Sequence, residues 1–258
     1  MYAKGLSKKV HEKGINDVSV SDNLVLSVSD DQFLTGSRES DLEQVFTVKL
    51  GSTRTLTPLT AVAQAPNSSL AAVGSFDENV YIVDVQREGQ VLCTLPAHAD
   101  PVTSVAWSKN TGNHLATCSY DALTRIWDGR TSKCIATLIG DTNPPVISVQ
   151  FLDSGDLVTA TLDSKITQWD WRVGGGRPLK VFDKHENKKY IIRPCLHQDH
   201  LIMGSEDGCV YKYSISSDTH TCVKLSSQPI INIALLTGAT IAWNQLESNK
   251  IELIQNDF

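Results

Sequence analysis

The sequence predicts a single all-β domain over residues 1–258, a propeller of six blades, with seven as the alternative count. Three observations carry that expectation. One turn pattern recurs along the chain, with Asp31, Asp77, Asp121, Asp163 and Asp207 separated by 46, 44, 42 and 44 residues, about one four-stranded blade per repeat. Each copy follows an apolar strand and precedes a strand whose apolar residues alternate. The tail of the chain then supplies three strands, one short of a blade, while its head supplies one.

Taken in order, the head is AKGLSKKV (3–10), placed just before His11 as another strand precedes His98. It is expected to close the ring as the outer strand of the last blade, which would leave no sheet edge exposed. The first blade carries SVSDD (27–31) and then QFLTGSRESDLEQVFTVKL (32–50), which lacks a tryptophan and whose strand boundaries are indistinct. The next four blades are marked by GSFDENVYIVD (74–84), CSYDALTRIWD (118–128), ATLDSKITQWD (160–170) and GSEDGCVYKYS (204–214). PIINIALL (229–236), ATIAWNQ (239–245) and KIELIQN (250–256) give the last three strands.

An Asp between the second and third strands can accept backbone N–H bonds and fix a tight turn. A His in the loop before the first strand can bond that Asp, and an aromatic residue on the third strand can pack over both. The most complete set is His98, Ser119 (Thr117 the alternative), Asp121 and Trp127. It resembles the structural tetrad of WD repeats. Because the set recurs with the blade period, its His–Ser–Asp grouping reads as structural and not as a catalytic triad.

Composition narrows the function. A net charge of −6 and a pI near 5.6 give no global positive field for nucleic acid or anionic lipid. There is no apolar run of about 18 residues to span a membrane. MYAKGLSKKVHEKG is basic but has no apolar stretch after it, against a secretory signal. The six cysteines form no C-x-x-C pair, so buried thiols in a reducing compartment, cytosol or nucleus, are expected. HQDH (197–200) supplies too few ligands for a metal, and GGG (174–176) has no following Lys or helix to cradle a phosphate. No catalytic constellation remains outside the repeat, so a non-enzymatic protein without cofactor or metal is expected.

Several loops resemble a narrower family. HEKGINDVSVSDNLVLSVSDD (11–31), GSFDENV (74–80), LPAHADPV (95–102), SYDALTRIWD (119–128), NPPV (143–146) and HENKKY (185–190) are similar to the WD-repeat subunit of COMPASS (SET1/MLL-type) histone lysine methyltransferase complexes. The likeness covers nearly the whole chain, although that family normally has seven blades. It implies a nuclear, non-catalytic scaffold, monomeric within its complex, with a SET-domain methyltransferase, its core partners and a histone tail as partners.

The resemblance also implies two surfaces. At the mouth of the central channel the family holds a partner's arginine between two phenylalanine rings, and those positions fall on Thr60 and Arg193. Asp30, Phe76, Pro101 and Tyr120 are retained or similar around the mouth, with Asn16 and Ile191 as variants. Thr60 offers no π face, and Arg193 sets a like charge against a guest arginine, so the clamp is expected to be lost. On the opposite rim the family docks an acidic and apolar peptide. The matching positions are Ser154, Gln168 and Lys180, of which Lys180 keeps a positive charge and Gln168 replaces an apolar residue. A different resemblance lies in Trp127-Asp128-Gly129-Arg130 and Trp169-Asp170-Trp171-Arg172. These W-D-x-R runs look like the motif by which substrate receptors attach to the adaptor of cullin-type ubiquitin ligases, and they nominate Arg130 and Arg172. A cytosolic signalling or trafficking adaptor is a further alternative.

Overall fold

The computed structural model describes residues 7–21, 23–51, 55–109, 112–217, 219–236, 240–246 and 251–255. Six antiparallel sheets follow one another as the blades of a propeller. The first holds β1 (Ile15–Ser21), β2 (Leu24–Ser29), β3 (Phe33–Arg38) and β4 (Gln44–Lys49). The second holds β5 (Leu59–Gln64), β6 (Leu70–Ser75), β7 (Asn79–Asp84) and β8 (Gln90–Pro96). The third holds β9 (Val102–Trp107), β10 (His114–Ser119), β11 (Leu123–Asp128) and β12 (Lys133–Ile139). The fourth holds β13 (Val146–Phe151), β14 (Leu157–Thr161), β15 (Lys165–Asp170) and β16 (Arg177–Phe182). The fifth holds β17 (Cys195–His197), β18 (His200–Gly204), β19 (Cys209–Ser214) and β20 (His220–Lys224). The sixth holds β21 (Ile230–Leu236), β22 (Thr240–Gln245) and β23 (Glu252–Gln255).

Strand composition follows position in the blade. A second strand is covered on both faces by its neighbouring blades, so β6 is small and apolar almost throughout, and β6 and β10 are both buried along nearly their whole length. Outer strands face water, and β4, β8 and β12 expose most of their residues. Apolar clusters fill the joints between consecutive blades, such as Leu59 and Val73 against Leu26 and Val28, and Ile147 and Val158 against Leu201 and Met203. Among the described residues no such cluster joins the sixth blade to the first, where Val18 and Val20 of β1 are exposed. The outer strand expected over 3–10 is not formed by residues 7–10, which carry no strand. Lys8 pairs instead with Glu43 of the first blade, and Lys9 with Glu12. Residues 3–6 lie outside the described residues, and the sixth sheet has three strands.

The repeated Asp turn has one geometry. The residue after each aspartate has positive φ: Gln32 (73°), Glu78 (71°), Ala122 (68°), Ser164 (66°) and Gly208 (78°). Four of these are not glycine, so the strain must be offset locally. In four turns the Asp side chain accepts the N–H two residues on, from Phe33, Asn79, Leu123 or Cys209. Ser29, Ser75 and Ser119 accept the N–H of the aspartate itself.

The third blade corrects the tetrad. His98 Nδ1 donates to Asp121 at 3.0 Å, while its Nε2 accepts from Thr117 Oγ1 at 2.9 Å. Trp127 Nε1 donates to the same Thr117 oxygen at 3.0 Å. The hydroxyl of the network is therefore that of Thr117 and not that of Ser119. Ser119 lies beyond the last pair of β10 with β11, and its hydroxyl accepts from Asp121 N and donates to Asp100 O instead. Burial opposes ionisation of Asp121, but the bonds from His98 and from the Ala99 and Leu123 N–H groups outweigh it and hold the carboxyl down at about 2. The first blade repeats the arrangement with His11, Ser27 and Asp31.

The cysteine expectation also needs correction. The six cysteines form no disulfide, yet Cys118 alone among them is buried, and Cys134 and Cys222 are exposed.

Candidate functional site at the channel mouth

The first strands of the blades line the channel, and a bulge near the start of several of them re-aims one side chain each. Pairing skips Asn16 in β1, Thr60 in β5, Thr103 in β9 and Ile231 in β21. A bulged residue leaves the alternation of its strand, and all four of these line one cavity of about 530 Å³ at the channel mouth. The same cavity gathers every position expected there: Asn16, Asp30, Thr60, Phe76, Pro101, Tyr120, Ile191 and Arg193. Sequence reasoning missed Thr103, Ile231 and Ile233. The sixth blade carries no recognisable turn motif, and the signal for Thr103 was its step of 43 residues from Thr60, visible only once the bulge register is known.

The rim is apolar and open, with Phe76 53% and Ile191 44% exposed. Asp30 does not face the opening as an unpartnered carboxylate. Its Oδ1 accepts Asn16 Nδ2 at 2.7 Å, and Asn16 also donates to Leu59 O at 2.8 Å, pinning the first blade to the second. Thr60 donates to Val102 O, pinning the second to the third.

Arg193 sets the floor. Its Nη2 donates to Thr103 O at 3.0 Å and Thr60 O at 3.3 Å, and its Nη1 lies 3.3 Å from Asp17 Oδ1. One guanidinium thus ties the fifth blade to the first three. Arg193 also lines a second cavity of about 300 Å³ with Asp17, Ser19, Gln64 and Gln150, so its side chain separates the two ends of the channel. Burial pushes the Asp17 carboxyl above its ordinary value, with Arg193 and the N–H groups of Val62 and Val18 pulling the other way. The expected like charge is therefore present at the mouth, and it arrives with its own counter-ion and carbonyl acceptors.

Two of the other nominated residues, Gln168 and Arg172, meet on the carboxylate of Asp156. Gln168 Nε2 donates to Asp156 Oδ2 at 3.0 Å, Arg172 pairs with Asp156 and Asp170, and Ser154 Oγ accepts Asp156 N at 3.3 Å. Lys180 does not offer its charge outward as expected: Nζ donates to the carbonyls of Ser214, Ile215 and Ser217 in the fifth blade. Arg130 is exposed at the end of β11.

The sequence matches the family described as WD domain, G-beta repeat over residues 89–128 and 132–170. The chain is a six-bladed β-propeller that carries WD repeats over these residues. Each matched repeat starts at the outer strand of one blade and ends on the third strand of the next, so the sequence repeat is offset from the blade by one strand. The chain is 27% identical to COMPASS component SWD3 of Saccharomyces cerevisiae over 68% of its own length and 62% of that protein's. It is 28% identical to nuclear distribution protein nudF of Aspergillus niger over 62% of its length and 36% of the relative's. It is 27% identical to actin-interacting protein 1 of Drosophila melanogaster over 62% and 26%. The chain thus spans less than two thirds of each of these relatives. WD-repeat propellers are typically non-catalytic platforms that bind other proteins.

Proposed function

We propose that this WD-repeat propeller is a non-catalytic scaffold that holds a partner polypeptide at its channel mouth, within a COMPASS-type histone methyltransferase complex in the nucleus. The observation that carries the reading is the gathering of all eight family mouth positions in one apolar-rimmed cavity. The likeness to SWD3 supports the address. Exposed aromatic and aliphatic groups around a concave site favour an apolar anchor from the partner. Arg193 already fills the deeper channel, so the partner engages the rim through Phe76, Tyr120 and Ile191 and not through an arginine sent down the axis. The similar identities to nudF and actin-interacting protein 1 support a second reading, a cytoplasmic adaptor.

Affinity purification of the whole chain separates these readings. Recovery of a SET-domain methyltransferase with its core subunits is expected, and Phe76→Ala with Tyr120→Ala should reduce it. Recovery of a cullin with its adaptor would move the function to a ubiquitin ligase. Cytoskeletal or motor proteins would favour the adaptor reading, and recovery of none of these would overturn all three.

A further inference from the structure

The first and third blades show a filled turn network, and the fourth shows the same network with one part missing. In the third blade the His98 ring bridges Asp121 and Thr117, and in the first the His11 ring bridges Asp31 and Ser27, two groups four residues apart in each case. The fourth blade keeps both ends of that bridge in Asp163 and Thr159. It keeps the indole as well, with Trp169 Nε1 donating to Thr159 Oγ1 at 2.8 Å as Trp127 does to Thr117. What stands in the loop instead of histidine is Thr142, whose hydroxyl donates to Asp163 at 3.1 Å. Among the described residues Thr142 makes no bond to Thr159.

The space left by the ring is open. A cavity of about 470 Å³ lies between β12 and the fourth blade, lined by Thr142, Thr159, Asp163 and Trp169 among others. Thr159 is 4% exposed, and among the described residues its hydroxyl accepts from Trp169 and donates to nothing. A buried hydroxyl proton without an acceptor is costly, and here it borders the cavity. Asp163 departs from its counterparts too. In place of the N–H two residues on, its carboxylate accepts Thr161 Oγ1 at 2.6 Å and pairs with Lys165 Nζ at 2.9 Å. Ile139 and Val181 at the edge are apolar and exposed, suited to flanking polypeptide.

We propose that this cleft is a binding site for a neutral imidazole ring, the side chain of a histidine carried by a partner polypeptide. One ring nitrogen donates to Asp163 and the other accepts from Thr159, completing in trans what His98 completes in cis. The site is separate from the channel mouth and does not depend on the function proposed for it.

Titration of the whole chain with 4-methylimidazole, at a pH where the ring is neutral, tests the proposal by the indole N–H signal of Trp169. A saturable shift is expected in the natural protein. Thr142→His supplies the ring internally and should abolish the titration while raising the Tm. Thr159→Val keeps the shape, removes the donor and should weaken binding by about tenfold or more. Absence of a saturable shift in the natural protein, or an undiminished one in Thr142→His, would overturn the site. A capped Gly-His-Gly peptide should bind more tightly than the free ring. Equal or weaker binding would assign the slot to a small heteroaromatic compound and overturn the partner histidine.

Discussion

Arg193 Nη1 stands 3.3 Å from Asp17 Oδ1, an ion pair that crosses the central channel from the fifth blade to the first. The same guanidinium meets the carbonyls of Thr60 and Thr103, so the channel axis is filled by the protein's own cation. An external arginine entering from the mouth would meet a like charge and acceptors already in use. An arginine-bearing histone tail peptide is therefore expected to show no saturable heat in titration calorimetry. Thr60→Phe with Arg193→Phe would supply two ring faces and leave Asp17 as a counter-charge, and should improve binding by about tenfold or more. No gain would mean that positions 60 and 193 do not frame a clamp.

The ion pair also couples blades distant in sequence. Both side chains are roughly three-quarters withdrawn from water, with 30% and 25% remaining exposed. Removing one partner strands the other, so Arg193→Ala and Asp17→Ala should each destabilise by about 1–3 kcal/mol. The double variant should cost less than their sum, with a coupling of about 1 kcal/mol. Urea midpoints of the four proteins give this directly, and strict additivity would show that the pair is not coupled.

Thr117 and Ser119 share a strand but not a role. Thr117 is fully buried and serves both the His98 ring and the Trp127 indole. Thr117→Val keeps the volume and leaves two buried groups without a partner, which should cost about 2–4 kcal/mol. Ser119→Ala loses bonds to the backbone around one turn and should cost about 1 kcal/mol. The reverse order in thermal or urea denaturation would return Ser119 to the network.

That pair shows where the sequence was legible and where it was not. The blade period, the Asp turns and the His98–Asp121–Trp127 set could be read because they are local and repeated. Thr117 and Ser119 lie two apart, hence on one face of β10, and nothing in the sequence marks which of the two hydroxyls the His98 ring reaches. The mouth positions were found through loop resemblance, but the reach of Arg193 to Asp17 spans most of the chain and no motif encodes it. Lys180 looked like a surface cation, and the carbonyls that hold it belong to the following blade.

His185 gives the fold a pH limb. It is 3% exposed, its Nδ1 accepts from the Tyr213 hydroxyl at 2.9 Å, and its Nε2 has no partner. Burial pushes its pKa down to about 4, with Asp207, Asp183 and Asp163 pulling the other way. The unfolded chain, with an ordinary histidine near 6.5, then binds more protons than the folded one between those values. Stability should fall as pH drops from about 6.5 to 4, by on the order of 3 kcal/mol for this group. Asp121, held at about 2, acts in a lower window, losing its contribution only below the ordinary carboxylate value. Urea denaturation across the range should show the upper limb in the natural protein and a flatter one in His185→Gln. An unchanged limb would assign it elsewhere.

Thiol reactivity should separate the cysteines by environment. Reaction needs both a thiolate and access. Cys118 has neither: burial pushes its thiol up to about 12, despite a bond to Thr103 and the charge of Arg193. Cys134 and Cys222 are exposed on the outer strands β12 and β20. A neutral alkylating reagent on the native protein should modify Cys134 and Cys222 first, and Cys118 only on unfolding. Labelling of Cys118 would then be a measure of global opening, because its strand is the buried centre of the third blade. Peptide mapping at increasing urea should show Cys118 modified in step with loss of the Trp127 signal. Early labelling of Cys118 under native conditions would contradict the packing between the third and fourth blades.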